Sequence, residues 1–152
     1  MGDKVKGAVE TYLNTEFNCA QSVVSQFAQE LDIDNVTALK VSCGLGSGMG
    51  RTGNMCGAVT GGMLVLGLKY GMTEPDSPDD KDKTYDKVAG LLEKIEGIYG
   101  SANCADLMGV DIGTPAGRQE AKEKGLSEKI CAKVVEDVTR ILEDLLKDAP
   151  QK

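Results

Sequence analysis

Apolar residues recur along this chain at spacings of three and four, the period of an α-helix with one buried face. After Asp3, a candidate N-cap, Val5, Ala8, Val9, Tyr12 and Leu13 share one side of a first helix. A break at residues 14–16 precedes a second helix over residues 18–31, with Asn18 as its cap and Cys19, Val23, Phe27 and Leu31 as its stripe. Asp34 or Asn35 can cap a third helix that ends near Cys43, with Val36, Leu39 and Cys43 on its inner face. A fifth helix is predicted over residues 83–99, with Tyr85, Val88, Leu91, Leu92, Ile95 and Ile98 inward. Asn103 caps a short helix that carries Cys104. Thr114 and Pro115 open a polar helix that runs to Lys124, and Gly125 stops it. Ser127 is the expected cap of a last helix, whose stripe runs from Ile130 and Cys131 through Val134, Val135, Val138, Ile141 and Leu142 to Leu145 and Leu146. No stretch alternates with period two. The pattern predicts an all-α, compact single-domain bundle of six to eight helices over residues 1–152.

The fourth helix follows a stretch unlike the rest. Residues 43–71 hold 10 of the 19 glycines, and the first half, Gly44 to Gly53, is too glycine-rich for a regular helix. Asn54 is a candidate cap, which would put Cys56 in the first turn. Gly57 and Gly61 stand four apart, a spacing that permits close helix contact, within the subunit or in a homodimer. Each internal glycine costs about 1 kcal/mol relative to alanine, so packing or a bound group must compensate. Gly48 to Gly53 formally fits GxGxxG, but helix precedes it where the dinucleotide fingerprint needs a strand. Gly48, Gly50, Arg51, Gly53 and Gly57 are the candidate cofactor-contacting residues: the glycines let backbone N–H groups approach a bound group, and Arg51 can meet negative charge. The acidic, proline-containing segment 73–82 reads as a surface loop.

Composition narrows the chemistry. The net charge is −7 and no long basic run occurs, which argues against nucleic acid and against anionic membrane surfaces as partners. The longest apolar run, residues 55–68, is shorter than the ~20 residues a membrane span needs. The start of the chain lacks an apolar signal region, so a cytoplasmic location is expected. Histidine is absent, which excludes Ser-His-Asp and Cys-His catalysis and histidine-ligated metals. There are five cysteines, and in a reducing compartment these point to metal, redox or core roles ahead of a disulfide framework.

Cys19, Cys56 and Cys104 each fall in a predicted first helical turn, where the helix dipole and free N–H groups favour a thiolate. Cys131 lies on the inner side of the last helix. Four elements can thus direct one sulfur each toward a common interior point, as a four-thiolate site requires. Cysteine is also a common core residue, and no CxxC spacing is present.

Phe17-Asn18-Cys19-Ala20, the GxGMGRxGxxCGAxxGG run that ends at Gly62, Gly100-Ser101-Ala102-Asn103-Cys104 before Leu107-Met108-Gly109, and Cys131 together resemble the C_GCAxxG_C_C family. The resemblance covers most of the chain. It implies a redox-active protein with its four family cysteines at Cys19, Cys56, Cys104 and Cys131; Cys43 has no counterpart. It further implies an iron–sulfur cluster or another redox group. A [2Fe–2S] cluster is the leading expectation. The protein would be an electron carrier or redox sensor for a partner oxidoreductase, not a stand-alone enzyme. Metal-free thiol–disulfide chemistry, or a structural four-thiolate zinc or interaction module, are the alternatives.

Overall fold

The computed structural model describes residues 2–147. In chain order the helices are α1 (Asp3–Asn14), α2 (Cys19–Phe27), α3 (Asn35–Cys43), a four-residue turn α4 (Gly46–Met49), α5 (Gly57–Tyr70), α6 (Pro78–Tyr99), α7 (Cys104–Met108), α8 (Pro115–Lys124) and α9 (Ala132–Lys147). The all-α expectation holds, and the apolar α5 lies at the centre. It packs against α2, α6 and α9, while α1 covers α2 and α9. No helix among the described residues is long and apolar enough to cross a membrane.

The glycines of α5 explain how an apolar helix with no polar face is accommodated. A methyl group at Gly61 would stand 2.9 Å from the Ala20 carbonyl oxygen and 3.1 Å from its Cα, so the backbones of α2 and α5 touch there. A methyl at Gly62 would meet Leu91 and Val138 at 2.9 and 3.2 Å. Around this contact Val23, Val24, Phe27, Val59, Leu66, Leu91, Ile95, Val135, Val138 and Leu142 form the main core. A second, smaller cluster of Cys104, Met108, Ile112, Ala121 and Leu126 lies under α7 and α8.

Several caps fall where the side-chain chemistry puts them. Asn18 and Gln21 form a reciprocal capping box at the start of α2, with bonds of 2.9 and 3.0 Å. Asp34 caps α3 and Thr114 caps α8, each by a side-chain oxygen that accepts from a backbone N–H. Asn18 also donates through Nδ2 to the Cys43 carbonyl at 2.8 Å and so ties α2 to the end of α3. Asn18→Ala therefore removes a cap and a tertiary bond together. We expect it to lower stability by about 1–2 kcal/mol in urea denaturation.

Other expectations are corrected. Asp3 does not cap α1: Gly2 occupies that position, and Asp3 is the first helical residue. α2 stops at Phe27, and a separate 3₁₀ turn spans Gln29–Leu31. The inner face of α3 is Ala38 and Ser42, while Val36 is 63% exposed and Cys43 faces outward. α6 begins at Pro78, five residues earlier than expected, with Asp79 and Asp80 in the first turn. Its Tyr85 and Ile98 are exposed. Ser127 opens a π-helical turn, Ser127–Cys131, and makes no cap bond.

Candidate functional site

Cys19 is the first residue of α2, positioned by the Asn18 capping box. Its sulfur lies against the start of α5: a methyl at Gly57 would sit 2.5 Å from Cys19 Sγ and 2.9 Å from the Leu45 carbonyl oxygen. Gly57 is therefore the gap that the Cys19 sulfur occupies. Above it, the chain from Ser47 to Arg51 runs continuously in the left-handed region, with φ of 56°, 70°, 69°, 74° and 65°. Left-handed backbone costs a non-glycine residue about 1–2 kcal/mol, and Ser47, Met49 and Arg51 all adopt it. The turn is held by its surroundings. Thr52 Oγ1 donates to the Gly48 carbonyl at 2.6 Å, and Asn54 N–H donates to the same carbonyl at 3.0 Å. The result brings the Ser47 N–H to the Cys19 sulfur and Arg51 to the cavity described below.

Cys56 and Cys104 are coupled by a feature that helical periodicity does not reveal. Met55 and Asn103 form an isolated antiparallel bridge. Cys56 N–H donates to the Ala102 carbonyl at 2.8 Å, and Cys104 N–H donates to the Asn54 carbonyl at 2.7 Å. Cys56 occupies the N-cap position of α5, one residue before the first turn where it was expected, and Cys104 is the first residue of α7. Gly48 packs on this pair: a methyl there would stand 2.8 Å from Cys104 Cβ. Cys104 Sγ lies 3.7 Å from Met108 Sδ. Cys131 comes from the fourth direction, at the end of the π turn that precedes α9.

All four sulfurs line one cavity of about 540 Å³. It lies between the main core, which includes Cys56 and touches Cys19, and the smaller cluster, which includes Cys104 and touches Cys131. Of the expected cofactor-contacting residues, Arg51 and Gly57 line this cavity. Gly48, Gly50 and Gly53 shape the turn beside it and do not line it. Cys43 is exposed and stands apart, its carbonyl serving only as the Asn18 acceptor. The sequence reading missed Tyr12, Ser127 and Glu128 at the Cys131 end, and Arg118 and Lys122 from α8. A tyrosine on an apolar stripe and two cations on a polar helix give no signal until the elements are folded together.

Burial dominates the thiol chemistry. Cys19 and Cys56 are pushed up by desolvation, although the N–H groups of Ser47, Ala20, Ala58 and Val59 pull in the other direction. Cys104 is raised to about 12, by burial first and then by the neighbouring Cys131 and Cys19. Cys131 is raised to about 11 by burial, with the Tyr12 hydroxyl opposing the shift. The expectation that helix N-termini would yield thiolates is thus overturned for the free thiols: desolvation outweighs the dipole. Burial thus favours the protonated form of Cys19, Cys56, Cys104 and Cys131.

Four soft sulfur donors around one cavity match a thiophilic metal group in chemistry. Among the described residues, no three Cys, Asp or Glu side chains are already gathered to hold one metal ion. A single tetrathiolate ion would require the sulfurs to draw together.

Residues 17–145 match the family profile described as "Putative redox-active protein (C_GCAxxG_C_C)". A protein of Archaeoglobus fulgidus, described as an uncharacterized protein, is 30% identical over 113 residues, covering 69% of this chain and 74% of the relative. No solved structure matches the chain.

Proposed function

The chain belongs to the C_GCAxxG_C_C redox-active family, and on that premise we propose that Cys19, Cys56, Cys104 and Cys131 hold an iron–sulfur cluster of the [2Fe–2S] type. The protein would pass or sense single electrons with a partner oxidoreductase, as a carrier or accessory protein and not as a stand-alone enzyme. One observation carries the reading: four elements far apart in sequence each bring one buried or half-buried cysteine to the same cavity, while the fifth cysteine is left outside. The bound cluster would supply reversible one-electron chemistry. The chain's own residues would do the rest. The two apolar clusters would back the site on either side. The N–H groups of Ser47, Ala58 and Val59 face the Cys19 and Cys56 sulfurs, where they would stabilise negative charge and so favour the reduced form of a bound group. Because burial favours the protonated form of these four thiols, loading the site would release protons and be favoured by higher pH.

The zinc alternative uses the same four thiols and is separated from the cluster by metal and sulfide analysis. The raised thiol ranges count against metal-free thiol–disulfide chemistry, since the thiolate is the nucleophile. Reconstitution with iron and sulfide under anaerobic conditions tests the assignment residue by residue. Cys19→Ser, Cys56→Ser, Cys104→Ser and Cys131→Ser should each lose or alter the visible absorption and the electron paramagnetic signal of the reduced form, whereas Cys43→Ser should retain both. A spectrum unchanged in all four variants would remove the proposed ligand set.

A further inference from the structure

The cavity has a charged rim that the four thiols do not explain. The chain contains three arginines: Arg51, Arg118 and Arg140. Arg140 is spent on Glu136 and Asp137 at 2.8 and 3.2 Å. The other two line the cavity. Among the described residues the Arg51 side chain has no hydrogen bond or ion pair, and the Arg118 side chain donates a single bond, from Nη1 to the Ile112 carbonyl at 3.0 Å. Lys122, also on the rim, has no carboxylate partner among the described residues. Glu16 and Glu128 share the rim but form no ion pair with these cations.

The two arginines are held by touching segments. A methyl at Gly113 would lie 3.6 Å from the Arg51 carbonyl oxygen, so the Arg51 backbone rests beside the segment whose Ile112 carbonyl receives Arg118. Arg51 is fixed by the left-handed turn, and Arg118 by α8 and its carbonyl contact. In a chain of net charge −7, this places two guanidinium groups with no carboxylate partner among the described residues, and a lysine, at one opening. A guanidinium fork matches the two oxygens of a carboxylate or phosphate. The cavity volume of about 540 Å³ lies within the usual range for small-molecule sites, roughly 300–1,000 Å³.

We propose that this rim binds a small oxyanion-bearing molecule, a carboxylate or a phosphate, anchored by Arg51 and Arg118 with Lys122 adding positive charge, and presents it to the thiol-lined interior. This rests on the cavity being the working redox site, but not on which group the thiols hold. The test is isothermal titration of the full-length protein at low ionic strength with inorganic phosphate, with succinate, and with tetramethylammonium as a cationic control. At least one anion should bind and the cation should not. Arg51→Gln and Arg118→Gln should each weaken binding at least tenfold, Arg118→Lys should recover part of the loss, and Arg140→Gln should leave affinity unchanged. Binding of phosphate alone assigns a phosphoryl ligand, and binding of succinate alone assigns a carboxylate. Failure of both anions, or binding that survives both glutamine variants with native circular dichroism, overturns the proposal. Iron and sulfide measured on the same preparations separate the two readings: lost anion binding with the cluster intact sinks the rim alone, and retained anion binding without a cluster sinks the cluster alone.

Discussion

Raising the pH of the reduced, metal-free protein from 8 to 11 should unfold it. Unfolded cysteines lose their protons near pH 8.5. In the fold Cys104 holds its proton to about 12 and Cys131 to about 11, with Cys19 and Cys56 also raised, all chiefly by burial. Between those limits the native state binds more protons than the unfolded state, so stability is fully present below pH 8.5 and falls as pH rises. Each such group contributes a slope of roughly 1.4 kcal/mol per pH unit, and several act together. Urea midpoints should be flat from pH 7 to 8 and drop steeply from 9 to 11. Tyr12 and Tyr99 are also raised by burial and add to the loss at the upper end, so Cys104→Ala and Cys131→Ala serve to isolate the thiol part and should flatten the slope. A midpoint that stays level to pH 11 would mean that the thiols are not buried together.

The second large effect concerns the glycines of α5, which should split by position. Gly61→Ala puts a methyl 2.9 Å from the Ala20 carbonyl and must push α2 away from α5. Because α2 carries Cys19 at its first residue, the same change displaces one wall of the cavity. The cost is expected at about 1–3 kcal/mol or more, as for over-packing a core. Gly67→Ala meets nothing within 4 Å and should instead stabilise by up to about 1 kcal/mol through helix propensity. Thermal unfolding of the two variants beside the parent decides. Equal effects of the same sign would contradict the close α2–α5 contact.

Much of the helical frame was legible because apolar spacing and caps are local. Asn18, Asp34 and Thr114 before Pro115 all act through residues within three positions, and all three were among the candidate caps; the Gln21 half of the capping box was not read. α3 was misread for a physical reason. In nine residues two faces compete, and Ser42 looks solvent-facing by chemistry. Its hydroxyl instead returns to the Ala38 carbonyl at 2.7 Å, which satisfies it inside the protein. Burial then follows Ala38 and Ser42, and Val36 and Cys43 turn outward. The early start of α6 had a local signal, since proline at the first position with acids behind it suits a helix N-terminus, but the acidic run also reads as loop.

The site was half legible. The four cysteines shared a helical logic, and the glycine stretch pointed to a close backbone approach. Three features depended on tertiary structure. The Met55–Asn103 bridge pairs residues 48 positions apart. The left-handed run puts serine, methionine and arginine where glycine would be expected. The thiol ranges are set by desolvation, which no motif reports. The rim cations were divided in the same way. Arg51 was visible because it interrupts the glycines, while Arg118 looked like any exposed residue of a polar helix until α8 folded over the cavity.

The central claim is that the four inward cysteines hold an iron–sulfur cluster. Iron and acid-labile sulfide analysis of the natively produced protein, purified without oxygen, tests it most directly. The expected result is iron and sulfide in equal amounts, about two of each per chain, as a [2Fe–2S] cluster requires. One equivalent of zinc without sulfide, or a metal-free chain that no iron and sulfide treatment can load, would contradict it.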